Sequence, residues 1–129
     1  MSHLLDTSTF IWFVQGDARL SRTAQAQIEE PENTIFVSII SLWEIVIRQR
    51  LNKLDFEADV PQMISDIQTM DARLLNLSPH HLQVLEGLDY NPDHKDPFDR
   101  LLVSQAIADN LSIITNGGKF PTYSIDLVW

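Results

Sequence analysis

The chain has 129 residues, 44% of them apolar, no cysteine, and a formal net charge of −9 from 18 acidic against 9 basic side chains. That length suits one domain, 1–129, with a core that folds without covalent staples. No apolar run reaches the roughly 20 residues that span a bilayer, and Met1 to Asp6 lack the basic flank and long apolar stretch of a secretory leader. Without cysteine, disulfides and thiolate metal sites are excluded, and the expected location is a reducing cytoplasm with no membrane attachment. Any metal must then be held by oxygen or imidazole, which favours Mg2+ or Mn2+ over structural zinc. The acid excess argues against non-specific nucleic-acid binding through a basic surface. It leaves two readings: a solvated acidic surface, or acids gathered in a site that a cation makes tolerable.

In chain order, Leu4-Leu5 ends a short buried strand, and Thr7 to Val14 reads as a short helix. Gly16-Asp17 punctuates it, and Ser21 caps a second helix to about Glu30. Pro31-Glu32-Asn33 is a turn before the β-branched and aromatic strand Thr34 to Val37. Ser38 or Ser41 starts a helix to about Leu51, and Asp59 with Pro61 opens another to about Met70. Leu74 to Leu77 reads as a strand, and Ser78-Pro79 supplies a cap and a first-turn proline for a helix through Leu85. Asp89 to Lys95 is a loop, and Asp96-Pro97 opens the last long helix, to about Asp109. Ile113-Ile114 is a strand, Asn116-Gly117-Gly118 a turn, and Ile125 to Val128 a final short strand. Short continuous apolar strands alternating with helices predict an α/β fold, a mainly parallel sheet covered on both faces. Sites in such folds lie at the carboxyl ends of the strands, which is where Asp6 and Thr115 fall.

Three acids stand out. Asp6 follows a strand and precedes Thr7-Ser8-Thr9, where it serves equally as a helix N-cap. Glu44 lies in Ile-Ile-Ser-Leu-Trp-Glu-Ile-Val-Ile, a helix so apolar that it must be buried. A carboxylate there costs several kcal/mol unless it is paired, bonded or neutralised. It could complete a capping box with Ser41, pair with Arg48 at i+4, or face a cation. Asp99 sits in Asp96-Pro97-Phe98-Asp99-Arg100, with Asp96 placed as N-cap and both acids favouring the positive end of the helix dipole. If the fold gathers Asp6, Glu44 and Asp99, their repulsion raises at least one pKa unless a cation is bound. Among the histidines, His80-His81 read as solvated and His3 as terminal. His94 stands in a loop beside the last helix, in reach of a phosphate.

Leu4-Leu5-Asp6-Thr7, Ser41-Leu42-Trp43-Glu44-Ile45, Asp96-Pro97-Phe98-Asp99-Arg100-Leu101-Leu102 and Leu111 to Thr115, in this order and spacing, resemble the PIN-domain toxins of VapBC-type toxin–antitoxin modules. The resemblance covers essentially the whole chain. It implies a PIN-like, flavodoxin-like three-layer α/β/α fold and a magnesium- or manganese-dependent endoribonuclease, usually cutting structured RNA such as transfer RNA. It further implies a cognate antitoxin covering the site, and a homodimer. The metal-binding, catalytic acids carry over onto Asp6, Glu44 and Asp99, with Asp96 as a neighbour. Thr7, Ser8, Thr115 and Asn116, with His94, are placed to orient water or a scissile oxygen. One departure matters: these toxins commonly carry another acid two residues after the threonine, where this chain has Gly117. Asn116 then supplies a neutral oxygen, or three acids suffice, or metal affinity and activity fall.

On this expectation, water attacks the phosphate in line and leaves a 5′-phosphate and a 3′-hydroxyl. Two other readings are a PIN-like domain that binds without cutting, Gly117 marking its decay, and a phospho-receiver module. The latter needs a lysine after its last strands, and Lys119 is the one candidate.

Overall fold

The computed structural model describes residues 1–90, 92–93, 95–118, 120 and 123–129. Its elements are β1 (Ser2–Leu5), α1 (Thr7–Gln15), α2 (Arg22–Glu29), β2 (Thr34–Ser38), α3 (Ile39–Arg50), α4 (Val60–Thr69), β3 (Arg73–Leu75), α5 (Pro79–Glu86), α6 (Pro97–Asp109), β4 (Ser112–Ile114) and β5 (Leu127–Val128). The punctuation works as its chemistry dictates. Gly16 adopts φ 65°, a left-handed conformation that glycine enters at no steric cost, and ends α1. Ser21, Asp59 and Asp96 cap α2, α4 and α6 through their side chains.

The strands form one sheet in the order β3-β2-β1-β4-β5, with every pairing parallel. Alternate residues serve opposite faces. Leu5, Ile35, Val37 and Ile114 join Phe10, Ile11, Ala24, Ile28, Met63 and Ile67 in one buried cluster. Leu4 and Ile113 pack with Leu101, Leu102, Val103 and Ala106 in the other. Helices therefore cover both faces, α1, α2 and α4 on one and α5 and α6 on the other, which is the three-layer α/β/α class. Helix α3 contributes Leu42 and Ile45 to the first cluster and Ile40 to the second, so it straddles the sheet's edge. The chain leaves β1 towards β2 and later returns to β4 on the other side of β1. The switch point, where open α/β sheets bind ligands, thus lies between the carboxyl ends of β1 and β4.

Two local expectations are corrected. The third strand is Arg73–Leu75 rather than Leu74 to Leu77, because its register is set by pairing Phe36, Val37 and Ser38. His81 is not solvated but 2% exposed. Its Nδ1 accepts the Ser78 backbone N–H at 3.0 Å, closing a capping box, and Nε2–H donates to Asp109 Oδ2 at 2.8 Å. Gln105, fully buried, accepts from Ser38 Oγ and links this network to the end of β2.

His3 is also buried, 1% exposed, and neither ring nitrogen makes a hydrogen bond of ordinary geometry among the described residues. Burial holds the imidazole below its usual 6.5, which the nearby Gln27 amide offsets only in part. As pH falls through 6.5 the unfolded chain takes up this proton before the folded one, so stability is lost from 6.5 down to the depressed folded value. Relative to His3→Leu, the wild type should therefore lose up to about 1.4 kcal/mol per pH unit in that window. Denaturant melts of both proteins at pH 7.5 and 5.5 check this; a gap independent of pH would overturn it.

Candidate active site

Asp6 sits immediately after β1 and caps α1, its Oδ1 accepting the Thr9 N–H at 2.8 Å. Capping leaves Oδ2 for another partner, and Thr115 Oγ1, at the end of β4, donates to it. Thr115 Oγ1 in turn accepts the Gly117 N–H at 2.8 Å. Asp6 is 8% exposed, and burial raises its pKa above 3.8 against the opposing hydrogen bonds from Thr115 and Thr9. Its cap role and its place at the switch point are both realised.

Glu44 lies one and a half turns into α3 and is also 8% exposed. Ser38, the first of the two serines expected to start this helix, caps it, accepting the Ile40 N–H at 3.0 Å, so of the alternatives for Glu44 the capping box with Ser41 does not form. Instead Thr7 Oγ1 donates to Glu44 Oε1 at 2.7 Å. With its proton so committed, Thr7 can only accept from Ser41 Oγ, 2.9 Å away. The i,i+4 contact with Arg48 is present at 3.6 Å, but Arg48 is 40% exposed and neutralises little. Burial raises the Glu44 pKa above 4.5, and Asp96 and Asp99 raise it further, outweighing Thr7 and Arg48.

The structure thus turns the α6 N-terminus towards Glu44. Asp96 is exposed and caps α6 through the Phe98 and Asp99 N–H groups at 2.9 and 3.2 Å. Asp99 is half-buried in the first turn of α6. Ser8 is half-buried beside Asp6, and Asn116 is exposed after Thr115. His94 and Lys119, the candidate phosphate contact and the receiver lysine, lie outside the described residues.

Sequence reasoning missed two structural roles around this edge. Arg100 donates to the carbonyls of Asp89 and Leu88 at 3.0 and 3.2 Å and to Tyr123 Oη at 3.3 Å, pinning the loop before α6. Trp43, next to Glu44, is 55% exposed, and its ring meets Phe98 edge to face at 5.0 Å. The signal available in the sequence was a Trp directly beside the one carboxylate of an otherwise apolar stretch.

The PIN domain is the family description that matches the sequence, over residues 3–125. The chain belongs to the PIN-domain family. No curated protein matches the sequence. Among solved structures, this PIN domain is similar to VapBC2 from Rickettsia felis, solved bound to a promoter DNA fragment: 20% identity, TM-score 0.63, covering 98% of this chain and 97% of that one. It is similar to VapBC-1 from nontypeable Haemophilus influenzae at 17% identity and TM-score 0.63, over 98% and 96% of the two chains. It is also similar to VapC20 of Mycobacterium tuberculosis, a toxin cleaving the sarcin–ricin loop, at 16% identity, TM-score 0.64 and 95% of each chain. At these identities the likeness is one of fold, and it agrees with the resemblance and fold class expected from the sequence.

The donor chemistry suits a hard cation: oxygen ligands, two of them buried carboxylates whose ionised forms burial disfavours. Among the described residues no three acidic or imidazole groups stand close enough to share one metal ion. Magnesium keeps several waters and needs only one or two carboxylates, so the donors present fit it in kind and number.

Gly117, where related toxins are expected to carry an acid, is shaped for glycine. A Cβ there would fall 2.6 Å from Phe120 Cδ2 and 3.1 Å from Thr115 Oγ1, and Phe120 is 3% exposed. Gly117→Asp should therefore destabilise the chain by about 1–3 kcal/mol through overpacking. Thermal melts of the variant without added metal test this, and an unchanged midpoint would show that Phe120 yields freely.

Proposed function

We propose that this PIN domain is a divalent-metal-dependent endoribonuclease, acting on structured RNA as the toxin of a toxin–antitoxin pair. One observation carries the reading. At the switch point, two buried carboxylates from different elements, Asp6 and Glu44, are each oriented by a threonine hydroxyl, while Asp96 and Asp99 press like charge on Glu44. Nothing in the hydrophobic core needs such an arrangement, and it costs stability; a cation would offset that cost.

Of the candidate acids Asp6, Glu44 and Asp99, with Asp96 beside them, one or two would hold the ion at a time, and water would fill its other positions. When bound, a magnesium or manganese ion lowers the pKa of a coordinated water and offsets charge developing on the phosphate. The protein's own part is orientation. Thr9 and Thr115 fix the two oxygens of Asp6, and Thr7, backed by Ser41, fixes Glu44. Thr115 and Asn116 stand where a water or phosphate oxygen would enter. Held carboxylates of this kind lose little freedom on binding, which is the benefit of support by neighbouring side chains.

Partner and location follow the same reading. The acidic sheet edge suits an antitoxin tail that brings arginine or lysine to the carboxylates, and the working unit is a homodimer in the cytoplasm. Among the described residues no helix is long and apolar enough to cross a membrane. The test is cleavage of total RNA with manganese, magnesium or excess chelator, alongside Asp6→Asn. Metal-dependent cleavage lost in the variant is expected. Cleavage that survives the chelator sinks the metal-nuclease reading, and manganese binding without cleavage favours a PIN domain that only binds.

A further inference from the structure

An exposed tryptophan beside a group of carboxylates calls for an occupant. Trp43 leaves 55% of its surface in water although its neighbours Leu42 and Glu44 are buried. Packing therefore does not explain the ring. Phe98 braces it edge to face at 5.0 Å, so its orientation is held between α3 and the first turn of α6. The residues next in sequence to this ring pair, Glu44 and Asp99, act on each other electrostatically, so the ring borders the two turns that carry the candidate site.

Charge decides what kind of group the ring can receive. With a net charge of −9 and carboxylates at this edge, the chain gains little from phosphate neutralisation, the usual source of RNA affinity. A π-face is indifferent to that repulsion, and base stacking contributes the affinity that charge does not supply. A base within a duplex is already stacked on its neighbours, whereas a base in a loop or bulge can be splayed onto an aromatic side chain.

We propose that Trp43, braced by Phe98, is the stacking platform for an unpaired nucleobase next to the scissile phosphate. This inference rests on the nuclease reading, but its test separates the two. Wild type, Trp43→Phe and Trp43→Leu are compared on a stem-loop RNA that the wild type cleaves in manganese, and on versions with an abasic site at each loop position in turn.

Trp43→Leu should lower kcat/KM by about 5- to 150-fold, mainly through KM, while Trp43→Phe stays within a few-fold. At one loop position the abasic RNA should cost the wild type as much as Trp43→Leu does, with no further loss when the two changes are combined. Quenching of tryptophan fluorescence by the intact RNA in chelator should vanish in Trp43→Leu. If losses add at every position, or Trp43→Leu cleaves as the wild type does, the platform is overturned. It is overturned as well if Trp43→Leu turns a dimer into a monomer on a sizing column, since the ring then faces a second copy. Quenching without cleavage in any divalent metal keeps the platform and removes the nuclease reading; neither quenching nor cleavage removes both.

Discussion

Glu44→Gln should melt higher than the wild type in chelator at pH 8, yet lose its response to divalent metal and its RNA cleavage. Burial, then Asp96 and Asp99, hold the folded Glu44 pKa above 4.5. The folded chain thus keeps this proton to higher pH than the unfolded one, and stability falls as pH rises from 4.5 through the folded value. Above that window the ionised side chain remains a net cost. Burial does the same to Asp6 from 3.8 upward. Glutamine matches the size of Glu44, still accepts the Thr7 hydroxyl, and cannot ionise. What it forfeits is the 3.6 Å contact with a part-exposed Arg48, at most about 0.5 kcal/mol.

The expected gain is about 2–6 °C in melting temperature for a domain of this size, shrinking as the pH is lowered. Divalent ion should reverse the order. A hundredfold excess over Kd stabilises a binding-competent chain by about 2.7 kcal/mol and leaves a non-binding one where it was. Cleavage should fall by roughly 10²- to 10³-fold, matching a few kcal/mol of lost transition-state stabilisation. Scanning calorimetry with and without manganese, beside a cleavage assay, checks all three effects. A variant that melts below the wild type in chelator would mean that Glu44 is a structural residue.

Thr115→Val should damage both stability and function, and Thr115→Ser should damage neither. The hydroxyl donates to Asp6 Oδ2 and accepts from the Gly117 N–H, so it ties β1, β4 and the following turn together. Valine keeps the shape and strands both partners in a site that is 4% exposed at Thr115. Leaving a buried polar group unpaired costs about 1–3 kcal/mol. Removing a group that orients a metal-binding side chain typically costs 10- to 100-fold in metal affinity or activity. Manganese titration of the three proteins separates the two effects. Loss of stability with unchanged manganese affinity would make Thr115 a fold contact and nothing more.

The local chemistry of the chain was readable wherever the signal was local. Ser21, Asp59, Asp96 and Ser78 mark helix starts because caps act on N–H groups two or three residues away. Gly16 marks an end because only its own φ matters. Glu44 was conspicuous because its nearest neighbours along the helix are apolar. His81 was not, since what buries it is Asp109 and Gln105 from α6, neither of which its own segment can reveal. Ser41 failed for a related reason: a capping box and a contact with Thr7 use the same residues, and the start of α3 was one turn earlier than that motif requires.

The carboxylates show the division most plainly. By itself the sequence determined the α/β alternation, the caps and the presence of acids at strand-end turns, because each depends on residues within a turn or two, and the family resemblance, because it rests on the order and spacing of short blocks along the chain. Only the tertiary structure decided that Asp6 is held by Thr115 and Glu44 by Thr7, that α6 turns Asp96 and Asp99 towards Glu44, and that Gly117 is closed over by Phe120. Except for Gly117 and Phe120, which share one local turn, those pairs lie far apart in the chain, and what joins them is the parallel order β2-β1-β4. Sequence periodicity specifies which faces must be buried, whereas pairing order is chosen by the packing of both faces at once.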